Sequence, residues 1–320
     1  MADDLVNRTT AIMMPQYKKD FVDAVAKKRV EWFALKRAGA IENNMGGRKI
    51  EWRARLETDT PFAFLGGMEG NTPTVENHFQ VAELEWRGMA HAFAITYAEK
   101  VLCKQEWQII KLLSALTENM TEDWMQEWQT QFYGDGTRLS NSAFHGIDAS
   151  IESSALTYAN ISQTTYTNWD CQRVDATGFA ADPLNFIQRI QIDCAKGNRG
   201  GRDRSEVDLM LCTATDYRVV TQHEMVKQRY EQDVEMAKAG FKNIAIFGVP
   251  LVWSEGCAAN KLYALNLKNF EFQIAGPDAI ETGTEETVGF PKITLGHAFA
   301  LHQLLNKNPR GSGLLYNTGS

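Results

Sequence analysis

The chain has 320 residues, a formal net charge of −7 at pH 7 and a hydrophobic content of 44%, which excludes the disordered and fibrous classes and allows about two or three globular domains. Its acidic balance argues against a dedicated nucleic-acid binder, because such proteins present a strongly basic face. Its apolar runs are far shorter than the ~20 residues that cross a bilayer, and residues 1–10 lack the basic and apolar regions of a signal peptide, so we expect neither a membrane protein nor a secreted one.

The first predicted element is an amphipathic helix from about Pro15 to Ala38. Pro15 suits the first helical position and Gly39 follows the last one. The apolar members of this helix include Phe21 and Trp32. We expect the apolar face to dock on another element.

Two alternating segments follow and predict a β-ribbon. In "RKIEWRARLE", residues 48–57, Ile50, Trp52, Ala54 and Leu56 share one face, and in "ELEWRG", residues 83–88, Leu84 and Trp86 share one face. Only turn-forming sequence separates the two segments. An isolated ribbon is marginal in water, so we expect its apolar stripe to be covered by another molecule. The alternative is that both tryptophans pack inside their own subunit, for example against the N-terminal helix.

A long helix is predicted over residues 104–134, after a strand that continues past Gly88 into a core sheet. Its apolar residues recur at spacings of three and four or their multiples, and at 1.5 Å per residue it would be roughly 45 Å long. These residues are Trp107, Ile110, Leu113, Met120, Trp124 and Trp128. Such a helix would span the molecule.

Residues 140–257 alternate between helical and strand patterns and predict a small α/β domain. A helix begins at Asp182 and Pro183, a buried strand covers 207–213, a second helix runs from Thr215 to about Gly240, and 242–253 forms two strands around a turn. The rest of the chain is rich in strands, at 261–267, 270–274 and 292–305.

We find no catalytic, cofactor-binding or metal-binding constellation in the sequence. "HEMVK" at 223–227 has Lys227 where a zinc-protease helix needs its second histidine. "GNRGGRDR" at 197–204 lacks the Gly-Lys-Ser/Thr ending of a phosphate-binding P-loop and is better explained as a basic loop. The five cysteines are widely separated, so neither a disulfide framework nor a CxxC metal pair is expected, and a reducing cytosol fits best.

The order of these elements resembles the major capsid proteins of tailed bacteriophages with the Hong Kong 97-like fold. The most specific segment is "GFKNIAIFGVPLVWSEGCAANKLYALNLKNFEF", residues 240–272. The resemblance implies an α+β fold with an N-terminal arm over 1–45, an extended loop or β-ribbon over 46–88, and an axial α/β domain over 140–257. A peripheral domain would comprise 89–139 and 258–320, including a spine helix over 102–136.

The resemblance further implies contacts between subunits. The extended loop and the arm would lie on a neighbouring copy through Trp52, Leu56, Phe62, Phe64, Leu84, Trp86, Phe21 and Trp32. The core of the spine helix would comprise Trp107, Ile110, Leu113, Trp124 and Trp128.

As partners we expect other copies of the chain in hexamers and pentamers, a portal, a separate scaffolding protein and a decoration or cement protein. Contact with the enclosed double-stranded DNA would be weak and non-specific, and no membrane would be involved. The protein would belong to the virion, after assembly in the host cytoplasm, and would not be an enzyme.

Two alternatives remain open, a cellular compartment shell of the encapsulin type with the same fold, and an unrelated soluble enzyme. Some shells of the family are locked by a covalent bond from a lysine of the extended loop to a neighbouring asparagine. Between Lys49 and Lys100 this sequence has no lysine, so we expect a shell held by non-covalent contacts.

Overall fold

The computed structural model describes residues 29–44, 47–56, 79–102, 106–152, 157–197, 207–223, 234–276, 281–286 and 293–319. The described helices are α1 Val30–Arg37, α2 Tyr97–Leu102, α3 Glu106–Phe132, α4 Asp148–Ile151, α5 Pro183–Gly197, α6 Ala214–Gln222 and α7 Val234–Lys238. The strands are β1 Ile41–Asn44, β2 Lys49–Arg55, β3 Phe79–Glu85, β4 Arg87–Ile95, β5 Thr157–Tyr158, β6 Ile161–Ser162, β7 Gln172–Asp175, β8 Leu209–Cys212, β9 Asn243–Ile246, β10 Val249–Trp253, β11 Lys261–Leu265, β12 Phe270–Ala275, β13 Glu281–Glu286, β14 Thr294–Asn306 and β15 Gly313–Tyr316. The α+β class predicted from the sequence is confirmed.

A five-stranded sheet is organised around β14, the longest strand. Its strand order is β1-β12-β14-β13, and β4 also pairs with β14. β4 lies antiparallel to β14 from Thr294↔Ile95 to His302↔Arg87, and the end of β14 then pairs with β12. The prediction that the second ribbon strand continues into a core sheet is therefore confirmed.

Helix α3 packs beside this sheet through its aromatic residues. Its 27 residues make it about 40 Å long. Trp128 lies 5.9 Å from Phe272 of β12 between ring centroids, in an edge-to-face arrangement, and stacks on Phe132 at 5.3 Å. Leu113 and Trp124 are also buried, whereas the side chains of Trp107 and Ile110 lie outside the described part of this helix. Within the predicted 102–136 helix, the described residues 106–132 are helical, and the helix ends four residues before the predicted boundary.

A six-stranded sheet has the order β7-β15-β11-β8-β10-β9. β8 and β10 are parallel, and β9 and β10 form the hairpin predicted from 242–253. β11 and β15 fall in the 258–320 segment that we expected to belong to the peripheral domain, yet they pair with strands of the 140–257 segment. β11 suits this position because it is buried at every residue after Lys261, as β8 is along its whole length, which is typical of strands inside a sheet that is covered on both faces.

The helix predicted from Thr215 to about Gly240 does not continue unbroken through the described residues. α6 ends at Gln222, where His223 adopts an extended backbone conformation with ψ of 136°. Residues 224–233 lie outside the described part of the chain, and α7 occupies 234–238. None of the helices in the described segments combines the length and hydrophobicity that a membrane span requires.

Candidate functional site

The β-ribbon predicted from the alternating sequence forms, although its second strand covers Phe79–Glu85 and not residues 83–88. β2 and β3 are antiparallel, with Ile50 opposite Leu84 and Trp52 opposite Ala82. An ion pair between Lys49 Nζ and Glu83 Oε1, at 2.9 Å, closes the base of the ribbon. Phe62 and Phe64, the predicted contact residues of the connecting loop, lie outside the described residues.

The inner face of the ribbon is covered by its own chain, which corrects our expectation that it lacks an intrachain partner. Leu56 and Leu84 are buried, at 3% and 5% exposure, in one cluster with Tyr158, Ile161 and Trp169. Among the described residues the cover comes from Ala149, from 158–169 and from Leu305, which agrees with the alternative that the ribbon packs inside its own subunit. Leu56 and Leu84 are therefore core residues and cannot contact a neighbouring subunit from this position.

The two ribbon tryptophans are only partly buried at the edge of the same cluster. The ring of Trp52 lies 6.5 Å from that of Tyr158, and Trp86 Nε1 donates a hydrogen bond to the carbonyl of Gly47 at 3.1 Å. Asn168 Nδ2 donates to the carbonyl of Leu56 at 3.0 Å, which holds the first strand against the covering segment. Contact of Trp52 and Trp86 with another subunit stays a prediction.

The outer face of the ribbon carries exposed apolar side chains that our sequence reasoning missed. Phe79 and Val81 are 56% and 58% exposed. They lie on β3 opposite Arg55 and Arg53 of β2. The signal was available, because Phe79 and Val81 occupy the alternate positions to Ala82 and Leu84. Exposed apolar residues grouped on one face are typical of interaction surfaces.

The base of the predicted N-terminal arm belongs to the core of the chain. Trp32 on α1 is 8% exposed, and its ring meets those of Trp128 and Phe272 edge to face at 5.2 and 5.5 Å. β1 then pairs in parallel with β12. α3 and β12 of its own chain pack against Trp32, so the predicted contact of Trp32 with a neighbouring subunit does not fit this position. Phe21 lies outside the described residues.

One group of charged residues ties α4 to β11. Lys261 Nζ lies 2.9 Å from Asp148 Oδ2 and 2.8 Å from Glu152 Oε1, and Tyr263 donates its hydroxyl proton to Asp148 Oδ1 at 2.8 Å. Burial raises the pKa of Asp148, while the hydrogen bond from Lys261 opposes this shift. The group is fully paired and needs no further ligand. Elsewhere among the described residues, no three His, Cys, Asp or Glu side chains are grouped to hold a metal ion.

The comparisons with known proteins identify the fold. No family model and no curated protein matches the sequence. Solved structures do match. A chain of the Cyanophage A-1(L) capsid has a TM-score of 0.62 and 15% identity, over 89% of this chain and 91% of that one. A chain of the capsid of Myoviridae Phage XM1 has a TM-score of 0.60 and 13% identity, over 88% and 90%.

A more distant match is the virus-like particle from Pyrococcus furiosus, with a TM-score of 0.51 and 9% identity, over 94% of this chain and 98% of that one. At sequence identities this low, the similarity shows that the fold is shared and shows nothing more. The chain has the Hong Kong 97-like capsid fold.

Proposed function

We propose that this chain is the major capsid protein of a tailed bacteriophage, and that it self-assembles into hexamers and pentamers of an icosahedral shell around double-stranded DNA. The observation that carries the proposal is the similarity to phage capsid chains over nearly nine-tenths of both chains. A shell role is structural, and it requires no catalytic residue or cofactor. The protein would belong to the virion and would assemble in the host cytoplasm.

The ribbon supports this proposal by its two unequal faces. Its inner face is buried against other residues of the same chain, while Phe79 and Val81 remain exposed on its outer face. We assign these two residues to contact with a neighbouring subunit, together with the partly buried Trp52 and Trp86. Phe21, Phe62 and Phe64 keep the same predicted role. Leu56, Leu84 and Trp32 are removed from this set.

The domain organisation follows the same proposal with two strands reassigned. The arm would comprise residues 1–28 and the extended loop 46–88, because residues 30–44 already pack in the core. The axial domain would comprise 140–257 with β11 and β15 added to its sheet. A portal, a scaffolding protein and a cement protein complete the set of proposed partners.

The acidic net charge is compatible with a DNA-filled shell. Each tight phosphate contact would add salt-dependent affinity, and packaging or ejection requires that DNA be held loosely. Contact with DNA would therefore be weak and non-specific.

The test is assembly of the full chain. Expressed with a scaffolding protein, it should form closed shells visible by electron microscopy, and shells from infected cells should contain double-stranded DNA. A monodisperse monomer of 36.0 kDa at high concentration, with no particles under these conditions, would overturn the proposal.

The alternative of a cellular compartment shell of the encapsulin type is not favoured, because the phage capsid chains match this chain at higher TM-scores than the Pyrococcus furiosus particle does. Small particles that contain protein cargo and no DNA would support that alternative.

A further inference from the structure

A cavity of about 330 Å³ lies where the start of α1, the last turn of α3 and the end of β10 meet. Its lining includes Arg29, Glu31, Gln129, Phe241 and Trp253. This volume is in the range of sites that hold small molecules or single side chains. The cavity lies apart from the ribbon.

Glu31 places a buried carboxylate in this lining. The residue is 1% exposed, and its Oε1 accepts hydrogen bonds from Gln129 Nε2 at 2.9 Å and Tyr133 Oη at 2.8 Å. Ser254 Oγ donates to the same oxygen. Three donors from two elements therefore converge on Oε1, while Oε2 is buried and has no hydrogen-bond partner.

Arg29 is the second incompletely bonded residue of the lining. Its Nη1 donates to Gln129 Oε1, while its Nε is buried without a partner. The carboxamide of Gln129 thus bridges Arg29 and Glu31, accepting from the guanidinium and donating to the carboxylate. Arg29 Nε–H is thus an unused donor and Glu31 Oε2 is an unused acceptor. The Gln129 carboxamide satisfies the same kinds of group on the same two residues, namely a donor of Arg29 and an acceptor of Glu31.

We propose that this cavity binds a second primary carboxamide. The ligand oxygen would accept from Arg29 Nε–H, and the ligand N–H would donate to Glu31 Oε2, which removes the cost of two buried unsatisfied groups. Phe241 and Trp253 provide apolar walls for the attached carbon chain. The opposite charges of Arg29 and Glu31 favour a neutral ligand with one donor and one acceptor over an isolated cation or anion. The carboxamide belongs to a free small molecule or to an Asn or Gln side chain of another protein segment.

Propionamide is the probe, measured on the full unassembled chain by ligand-detected NMR. Propionate and propylammonium serve as charged controls of similar size. We expect propionamide to bind in the millimolar range, as suits a ligand of so few atoms, and to bind more tightly than either control. Weaker or absent binding of propionamide relative to the controls, which would leave only water in the cavity, would overturn the proposal.

Two variants locate the binding. Arg29→Lys keeps the charge but removes Nε–H, and Glu31→Gln removes the carboxylate, so each should weaken propionamide binding about tenfold. Lys242 also lines the cavity but is exposed, so Lys242→Gln should change the affinity less than twofold. If Glu31→Gln does not fold, Arg29→Lys decides alone, because the Arg29 side chain is partly exposed, at 20%, and lysine keeps its positive charge. Unchanged affinity in Arg29→Lys would refute the assignment.

Measurements on assembled particles distinguish the two possible sources of the carboxamide, a protein side chain and a free molecule. Density for an Asn or Gln side chain in the cavity, with loss of propionamide binding on assembly, identifies a protein ligand. Propionamide binding that persists in the particle identifies a free molecule. Both outcomes support the carboxamide site, and neither depends on what the shell encloses.

Discussion

Replacing His302 with phenylalanine should remove a large acid sensitivity from the core. His302 on β14 is 3% exposed, its ring lies 4.8 Å from that of Phe144 and 5.2 Å from that of Phe272, and its Nε2 has no hydrogen-bond partner. Burial lowers the pKa of His302 to about 4, from an ordinary value of 6.5. The folded state therefore holds the neutral ring, and protonation favours unfolding.

The sign and size of the effect follow from linkage. Well above pH 6.5 the ring is neutral in both the folded and the unfolded state, so it does not change the free energy of unfolding. Stability is lost as the pH falls from 6.5 to 4, because the unfolded state then binds a proton that the folded state does not. At pH 5 this single residue should cost about 2 kcal/mol, and below pH 4 about 3 kcal/mol. His302→Phe should lack this contribution, because its ring does not ionise.

Urea unfolding of the unassembled chain between pH 7.5 and pH 4.5 measures the difference. The stability of the wild type should fall more steeply than that of His302→Phe, by about 2 kcal/mol at pH 5. His297→Gln, a partly exposed position on the same strand, controls for the loss of a histidine as such. Parallel pH profiles for wild type and His302→Phe would refute the reasoning that His302 is held neutral by burial.

Three further results are expected. Leu84→Asp should unfold or strongly destabilise the isolated chain, because it places a charge in the core under the ribbon. Val81→Asp lies on the exposed face, so it should leave the circular dichroism spectrum and the melting temperature unchanged and block assembly. Equal effects of the two variants on folding would contradict the assignment of faces. Trp128→Ala should cost about 3–5 kcal/mol in urea unfolding, because the ring is buried among other aromatic rings, and a cost below 1 kcal/mol would contradict that packing. Mature particles boiled in detergent and reductant should run as one band near 36.0 kDa, since no lysine lies between Lys49 and Lys100, and a ladder of multimers would disprove a non-covalent shell.

Local periodicity by itself determined most of the elements. Alternation over 48–57 and 83–88 predicted the ribbon, and apolar spacing of three and four predicted the long helix, because each pattern repeats with the geometry of one kind of backbone. The hairpin of β9 and β10 was predicted in the same way, from two apolar segments around Gly248 and Pro250. The order of the elements then indicated the capsid fold.

Tertiary structure alone decided what covers each apolar face. The inner face of the ribbon meets Tyr158, Ile161 and Trp169, which are distant along the chain, and Trp32 meets Trp128 and Phe272, which are also distant from it in sequence. The outer face, with Phe79 and Val81, was overlooked because the predicted second strand begins at Glu83 and leaves these two residues in the connecting loop, whereas the strand in the structure begins at Phe79. The partners of Glu31 were likewise hidden, since a hydrogen bond between Glu31 and Gln129 leaves no periodic trace in the sequence. Burial depends on contacts between distant segments, and periodicity describes only near neighbours along the chain.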